Sequence, residues 1–159
     1  MTDSAALHET FTLTRSLAAP VATVYRAWAD PKARAVWNAP VPGVEIAYDA
    51  DDFRPGGVDR VRYIEPDGPV FSAHLTYHDI VDARRILYSE TLSCEGEPVS
   101  AALVTAEFSG DKTGCQLVVT VQMAALNGSG MEVGYLEGWT AVLDNLPLWL
   151  AKESVGGQA

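Results

Sequence analysis

Residues 130–150 read GMEVGYLEGWTAVLDNLPLWL, and this stretch decides the fold. Leu136, Trp139, Leu143, Leu146 and Leu150 recur at spacings of three and four, which stacks them on one face of a helix. It is the one long helical pattern in a chain that otherwise reads mostly as strands, and a large sheet needs an apolar element to lie against. The helix is therefore expected to be the piece the sheet wraps. Gly134 and Gly138 fall one turn apart and predict close backbone approach on it. Pro147 lacks an N–H and crowds the carbonyl of Leu143, which predicts a bend or fray there.

Working back from the helix, Leu126–Gly130 is its entry loop, and two strands precede it, Ala101–Phe108 and Gln116–Ala124. Residues 109–114 (SGDKTG) join those strands as a hairpin loop. Residues 93–100 (SCEGEPVS) read as a loop, and Val44–Tyr48, Val58–Glu65, Val70–Val81 and Arg84–Leu92 read as strands. Pro55-Gly56-Gly57 and residues 66–69 (PDGP) turn the chain between them. The first strand is His8–Ala18, with Phe11, Leu13 and Leu17 alternating against Thr12, Thr14 and Ser16. Two short helices follow it. Pro20 suits the first turn of one helix, and Asp30-Pro31 supplies cap and first position for another over Lys32–Trp37. The order β-α-α-β-β-β-β-β-β-α, with short turns between strands, gives an α+β fold with a curved antiparallel meander. One domain over 8–152 is expected, with loose tails at 1–7 and 153–159.

The totals exclude several functions. At 159 residues, 48% hydrophobic and 20% charged, the chain has the makings of one globular domain and no apolar run long enough to span a bilayer. A net charge of −10 argues against nucleic acid and against anionic lipid surfaces. The first residues, MTDSAALHETF, have neither a basic start nor an apolar core, so a cytoplasmic location is expected. Cys94 and Cys115 fall at opposite ends of the sheet in this reading, too far apart for a disulfide, and free thiols are expected.

These segments carry a resemblance. Ala19-Pro20, Asp30-Pro31 and Trp37, then the Arg54–Gly57 turn (RPGG), then DIVDARRILY over residues 79–88, ALVTAEF over 102–108, and Gly138-Trp139 with Leu143–Leu146 (LDNL) follow one another in a fixed order. In that order they resemble the START-like (SRPBCC) superfamily, and within it the group named after the activator of heat-shock protein 90 ATPase. The resemblance spans roughly residues 9–151 and implies the helix-grip fold, shared with birch-pollen-allergen-like proteins: a curved sheet around a long C-terminal helix. The usual Pro after DIV is Asp82 here. Such folds serve lipid transport, polyketide cyclisation, ring-hydroxylating oxygenases and co-chaperone activity, so the fold alone does not give the function.

The candidate residues follow from what would approach the inside of such a grip. Trp28, Trp37, Tyr77, Tyr88, Trp139 and Leu143 would wall a cavity, where aromatic rings with a few polar groups make a small-molecule site. The plain alternative is that the same rings fill a core. Arg62, next to Arg60 and Tyr63, would need a carboxylate or an anionic ligand if buried, and means nothing if exposed. His74, His78 and Glu90 are candidate polar or acid–base groups, against the alternative of a solvated strand face. His74 and His78 are four apart on a strand, about 13 Å, too far to share a metal. Asp49, Asp51 and Asp52 lack the twelve-residue loop and distal Glu of a calcium site. No catalytic triad elbow (GxSxG) or phosphate loop (GxGxxG) occurs, and no metal or cofactor is implied.

The leading reading is a non-catalytic binder of a small apolar, aromatic or amphipathic molecule between helix and sheet. A protein-interaction or co-chaperone role ranks second. In eukaryotic members that role uses a separate N-terminal domain, for which this length leaves no room, so chaperone binding is held as the weaker alternative. A cavity enzyme, such as a cyclase or hydrolase, ranks third. The sequence leaves a homodimer undecided.

Overall fold

The structure is a computed structural model and describes residues 5–156. Seven strands form one antiparallel sheet in the order β1-β7-β6-β5-β4-β3-β2. The strands are β1 (Leu7–Leu17), β2 (Glu45–Ala50), β3 (Val58–Ile64), β4 (Val70–Val81), β5 (Arg85–Cys94), β6 (Glu97–Gly110) and β7 (Cys115–Ala125). Helices α1 (Val21–Ala29) and α2 (Pro31–Trp37) connect β1 to β2, and α3 (Met131–Gly156) ends the chain. This is the expected helix-grip. The meander runs from β2 to β7, and β1 closes against β7.

Alternation along each strand decides which residues face α3. On β7, Leu117, Val119, Val121 and Met123 are buried while Gln116 and Gln122 are exposed on the other face. Register shifts between Tyr48 and Ala50, Tyr77 and Asp79, and Leu92 and Ser93 interrupt the ladders. Bulges of this kind bend and twist a strand, which curves the sheet around the helix.

The helical pair is capped as its sequence demands. The Asp30 side chain accepts from the Lys32 N–H at 2.9 Å, and Pro31 sits just inside α2. Pro20 is the residue before α1 rather than part of its first turn. Asn145 of α3 donates to the carbonyls of Trp37 and Ala39 at 3.2 and 2.9 Å, which ties the end of α2 to α3.

Several expectations need correction. Residues 93–100 are not a loop: β5 and β6 extend to a two-residue turn at Glu95 and Gly96, with φ of 51° and 85°. Positive φ at both central residues matches the twist of a hairpin. Of the bend or fray expected at Pro147, the fray does not occur: the helix runs on through it to Gly156. Residues 1–4 and 157–159 of the expected tails lie outside the described residues, while β1 begins at Leu7 and α3 ends at Gly156. On α3, Leu136 is 44% exposed, and Tyr135 takes its place facing the sheet. At 3.6 residues per turn Tyr135 lines up with Trp139, Val142 and Leu146, and Leu136 falls at the margin of that arc. Cys94 and Cys115 are free, at opposite ends of β6. Among the described residues no helix is long and apolar enough to cross a membrane.

Candidate functional site

Between α3, the helical pair and the inner face of the sheet lies a cavity of about 320 Å³. Its walls are mostly aromatic. Trp28 stacks on Trp139 with centroids 6.0 Å apart and lies 5.2 Å from Trp37, so α1, α2 and α3 meet through three indoles. From the sheet come Tyr63, Tyr77 and Tyr88. Tyr77 and Tyr88, directly opposite on β4 and β5, are 6.0 Å apart edge to face. Ring pairs in this geometry are worth about 0.5–1.5 kcal/mol each beyond their buried area.

Gly134 and Gly138 also line the cavity. They do not serve close backbone packing as expected. A Cβ on Gly138 would meet nothing within 4 Å, and one on Gly134 would meet only the Met131 sulfur at 3.8 Å. Their missing side chains leave space beside the helix. A glycine in a helix interior costs about 0.8–1.0 kcal/mol against alanine, so that space is kept at an energetic cost.

Two polar clusters interrupt the aromatic wall. In the first, Arg34 of α2 donates through Nη1 to Asp59 Oδ2 at 2.8 Å and to the Tyr77 hydroxyl at 3.0 Å. Tyr77 itself donates to Asp59 Oδ2 at 2.6 Å, and the Asp52 N–H donates to Asp59 Oδ1 at 2.9 Å. Arg34 is 6% exposed and Asp59 0%. The pair is closed on itself: a cation and an anion taken out of water must compensate each other. The Tyr48 ring lies 5.1 Å from the guanidinium carbon. Burial pushes the Tyr48 phenol up to about 12, against the pull of Arg34, so it stays neutral. Nε and Nη2 of Arg34, and Nε1 of Trp28, are buried without a hydrogen-bond partner among the described residues.

In the second cluster, Ser100 of β6 donates to the Tyr135 hydroxyl at 2.9 Å, and Tyr135 donates to Glu90 Oε1 at 3.0 Å. Glu90 shares the inward phase of β5 with Ile86 and Tyr88. Burial raises its carboxyl above the ordinary range, and the Tyr135 hydrogen bond offsets part of that. Burial first, and the nearby Glu90 charge next, hold the phenols of Tyr63 and Tyr88 well above their usual value.

The expected site residues therefore divide. Trp28, Trp37, Tyr77, Tyr88, Glu90 and Trp139 all border the cavity. Leu143 does not; it is wholly buried in the core, with Val142 at the wall in its place. Arg62, His74 and His78 are exposed on the outer face, because strand alternation turns them opposite to Val61, Tyr63, Leu75 and Tyr77. Arg62 pairs there with Asp49 at 2.8 and 2.9 Å, and His78 Nε2 shares a hydrogen bond with Ser89 at 2.8 Å. Asp52 pairs with Arg54 at 2.9 Å, so the acidic turn is partly spent on arginines. No group of three or more metal-ligating side chains occurs among the described residues.

Sequence reasoning overlooked Arg34, Asp59, Tyr63 and Tyr135. Asp59 was legible in part, since it sits two before Val61 and four before Tyr63 on the buried phase of β3. A carboxylate at such a position needs a cation, and that is the signal for Arg34.

The chain matches the family described as "Activator of Hsp90 ATPase homolog 1-like protein" over residues 18–151. Its structure is similar to that of a protein from Rhizobium leguminosarum, with 34% identity, a TM-score of 0.84, and 95% of this chain and 99% of that one covered. It is likewise similar to the Mll3558 protein from Rhizobium loti, with 30% identity, a TM-score of 0.80, and 91% and 99% covered. The CV1439 protein from Chromobacterium violaceum shows 26% identity and a TM-score of 0.73, with 88% and 96% covered. No curated protein matches the chain. A family match across most of the sequence, with relatives of the same fold at 30% identity or more, places this chain in the Activator of Hsp90 ATPase homolog 1-like family of the START-like superfamily.

Proposed function

We propose that this protein binds a small apolar or amphipathic molecule in the cavity between α3 and the sheet, without catalysis. The observation that carries the reading is a space of about 320 Å³ walled by aromatic rings and bordered by two helix glycines. That volume is at the lower end of the range of about 300–1,000 Å³ common to small-molecule sites. A fold under selection for stability alone gains by filling such a space, through lost glycines and added side chains. A few polar groups at the wall supply orientation.

The test is a thermal-shift screen of aromatic and acyl-chain compounds, repeated on Gly138→Leu. A ligand at about one hundred times its Kd stabilises by about 2.7 kcal/mol, a rise of roughly 5–11 °C for a domain of this size. Gly138→Leu should fold and lose the shift, because its side chain enters the lumen. A flat response across the panel in the unmodified protein rejects the reading.

One observation favours an acid–base enzyme as the second reading. Of the three candidate groups, Glu90 faces the lumen and carries a raised pKa, whereas His74 and His78 face outward. Turnover of a bound ligand that disappears in Glu90→Gln would support it over simple carriage.

A further inference from the structure

We infer that the cavity selects an organic cation, an aromatic or alkyl ammonium whose charged head sits against Glu90 and the surrounding rings. This rests on the ligand-binding reading above and names the chemistry of the ligand.

Arg34, Glu65 and Glu90 are the acidic and basic side chains at the wall. Arg34 is already matched by Asp59. Glu90 has no salt-bridge partner among the described residues; its one hydrogen bond comes from Tyr135 to Oε1. A carboxylate enclosed by protein without a cation is costly, and a ligand that brings the cation removes that cost.

Geometry gives the same answer. Glu90 is deeply enclosed, yet it keeps some accessible surface, and that surface opens on the lumen it lines. Tyr63 from β3 and Tyr88 from β5 lie close enough to feel its charge, and Tyr135 from α3 is hydrogen-bonded to it. Their faces attract a cation within about 6 Å of a ring centroid, at about 0.5–2 kcal/mol per ring by general experience. An aromatic enclosure with one carboxylate is what an ammonium head needs.

An anionic ligand on Arg34 is the competing chemistry. Among the described residues Nε and Nη2 of Arg34 have no hydrogen-bond partner. Those atoms have essentially no accessible surface, lie beside Tyr48, and belong to a guanidinium whose charge Asp59 already balances. The lumen therefore presents more uncompensated negative than positive charge.

Three indoles of matched shape decide the matter: tryptamine, tryptophol and indole acetate, titrated calorimetrically against the intact protein near neutral pH. Tryptamine should bind about tenfold tighter than tryptophol, with indole acetate weakest. Glu90→Gln should bring tryptamine to within about twofold of tryptophol measured on the same variant. A second measurement stands on the unmodified protein alone. Tryptamine affinity should rise with pH as Glu90 ionises, a rise displaced upward from the ordinary carboxylate range because burial raises this carboxyl, the amine itself staying charged up to about pH 10, while tryptophol affinity stays flat. Arg34, Asp59, Glu65 and the phenols of Tyr48, Tyr63, Tyr77, Tyr88 and Tyr135 also face this region, and the tryptophol control subtracts their common effect. Equal binding of all three indoles overturns the inference and leaves ligand carriage standing. Tightest binding of indole acetate overturns it in favour of Arg34. Binding by none of the three, together with a flat thermal screen, overturns both.

Discussion

Removing the buried carboxylate by Asp59→Ala should be among the most damaging single changes in this protein. Asp59 is 0% exposed and accepts from Arg34 at 2.8 Å, from Tyr77 at 2.6 Å and from the Asp52 N–H at 2.9 Å. Alanine strands the Tyr77 hydroxyl and the Asp52 N–H and leaves the Arg34 guanidinium buried without its anion, its Nη1 keeping only the Tyr77 oxygen. Breaking a buried ion pair from one side costs about 3–5 kcal/mol. For a domain of this size each kcal/mol moves Tm by about 2–4 °C, so a fall of about 6–20 °C is expected. Against a total stability of about 5–15 kcal/mol, that leaves little margin. Urea denaturation followed by tryptophan fluorescence gives the free energy directly, since Trp28 and Trp37 are buried in the core and become exposed on unfolding. Arg34→Met combined with Asp59→Asn should cost less than the sum of the two single changes, because no charge then remains buried alone. A cost below about 1 kcal/mol for Asp59→Ala would refute the reasoning, and would mean that water reaches Arg34 and replaces its partner.

Three further outcomes follow from particular positions. Leu143→Ala, at a site 0% exposed, should cost about 2–5 kcal/mol in denaturant unfolding. Leu136→Ala, at 44% exposure seven residues earlier, should stay within about 0.5 kcal/mol. The two glycines of the Arg54–Gly57 turn should respond differently to alanine. A Cβ on Gly57 would lie 2.0 Å from the Asp52 carbonyl oxygen, so the backbone must move, and Gly57→Ala should cost more than about 3 kcal/mol. Gly56 has open space and a φ of +83°, so Gly56→Ala should cost only the left-handed penalty of about 1–2 kcal/mol. Finally, Glu90 has a folded pKa above its ordinary value of 4.5. The folded state then holds the proton more tightly than the unfolded one, so this contribution is present in full below pH 4.5 and is lost as pH rises through the folded pKa. The difference in Tm between the unmodified protein and Glu90→Gln, followed upward from that pH, should shrink or reverse; a difference independent of pH would disprove the shift.

The sequence by itself determined the architecture, because its rules are local. Strand alternation, the Asp30-Pro31 cap and the glycine turns act over a few residues, and a long apolar helix has few places to go but against the sheet. It also brought Trp28, Trp37, Tyr77, Tyr88, Glu90 and Trp139 to one interior. Local rules failed where a one-residue change of phase decides the face. Leu136 yields to Tyr135 on the helix, whereas on the strands the alternation that buries Leu75 and Tyr77 itself puts His74 and His78 on the solvated face that stood against their site role, with Arg62 likewise outward opposite Val61. Only the tertiary structure decided the pairings and the space. Arg34 and Asp59 are 25 residues apart on α2 and β3, and Tyr135 reaches Glu90 across 45 residues. Neither contact leaves a periodic trace, because each depends on how a helix docks on a curved sheet. The cavity is further still from the sequence. Its volume is the small difference between the space the sheet encloses and the space the side chains fill, and the same indoles and phenols would suit a packed core as well as a lined one.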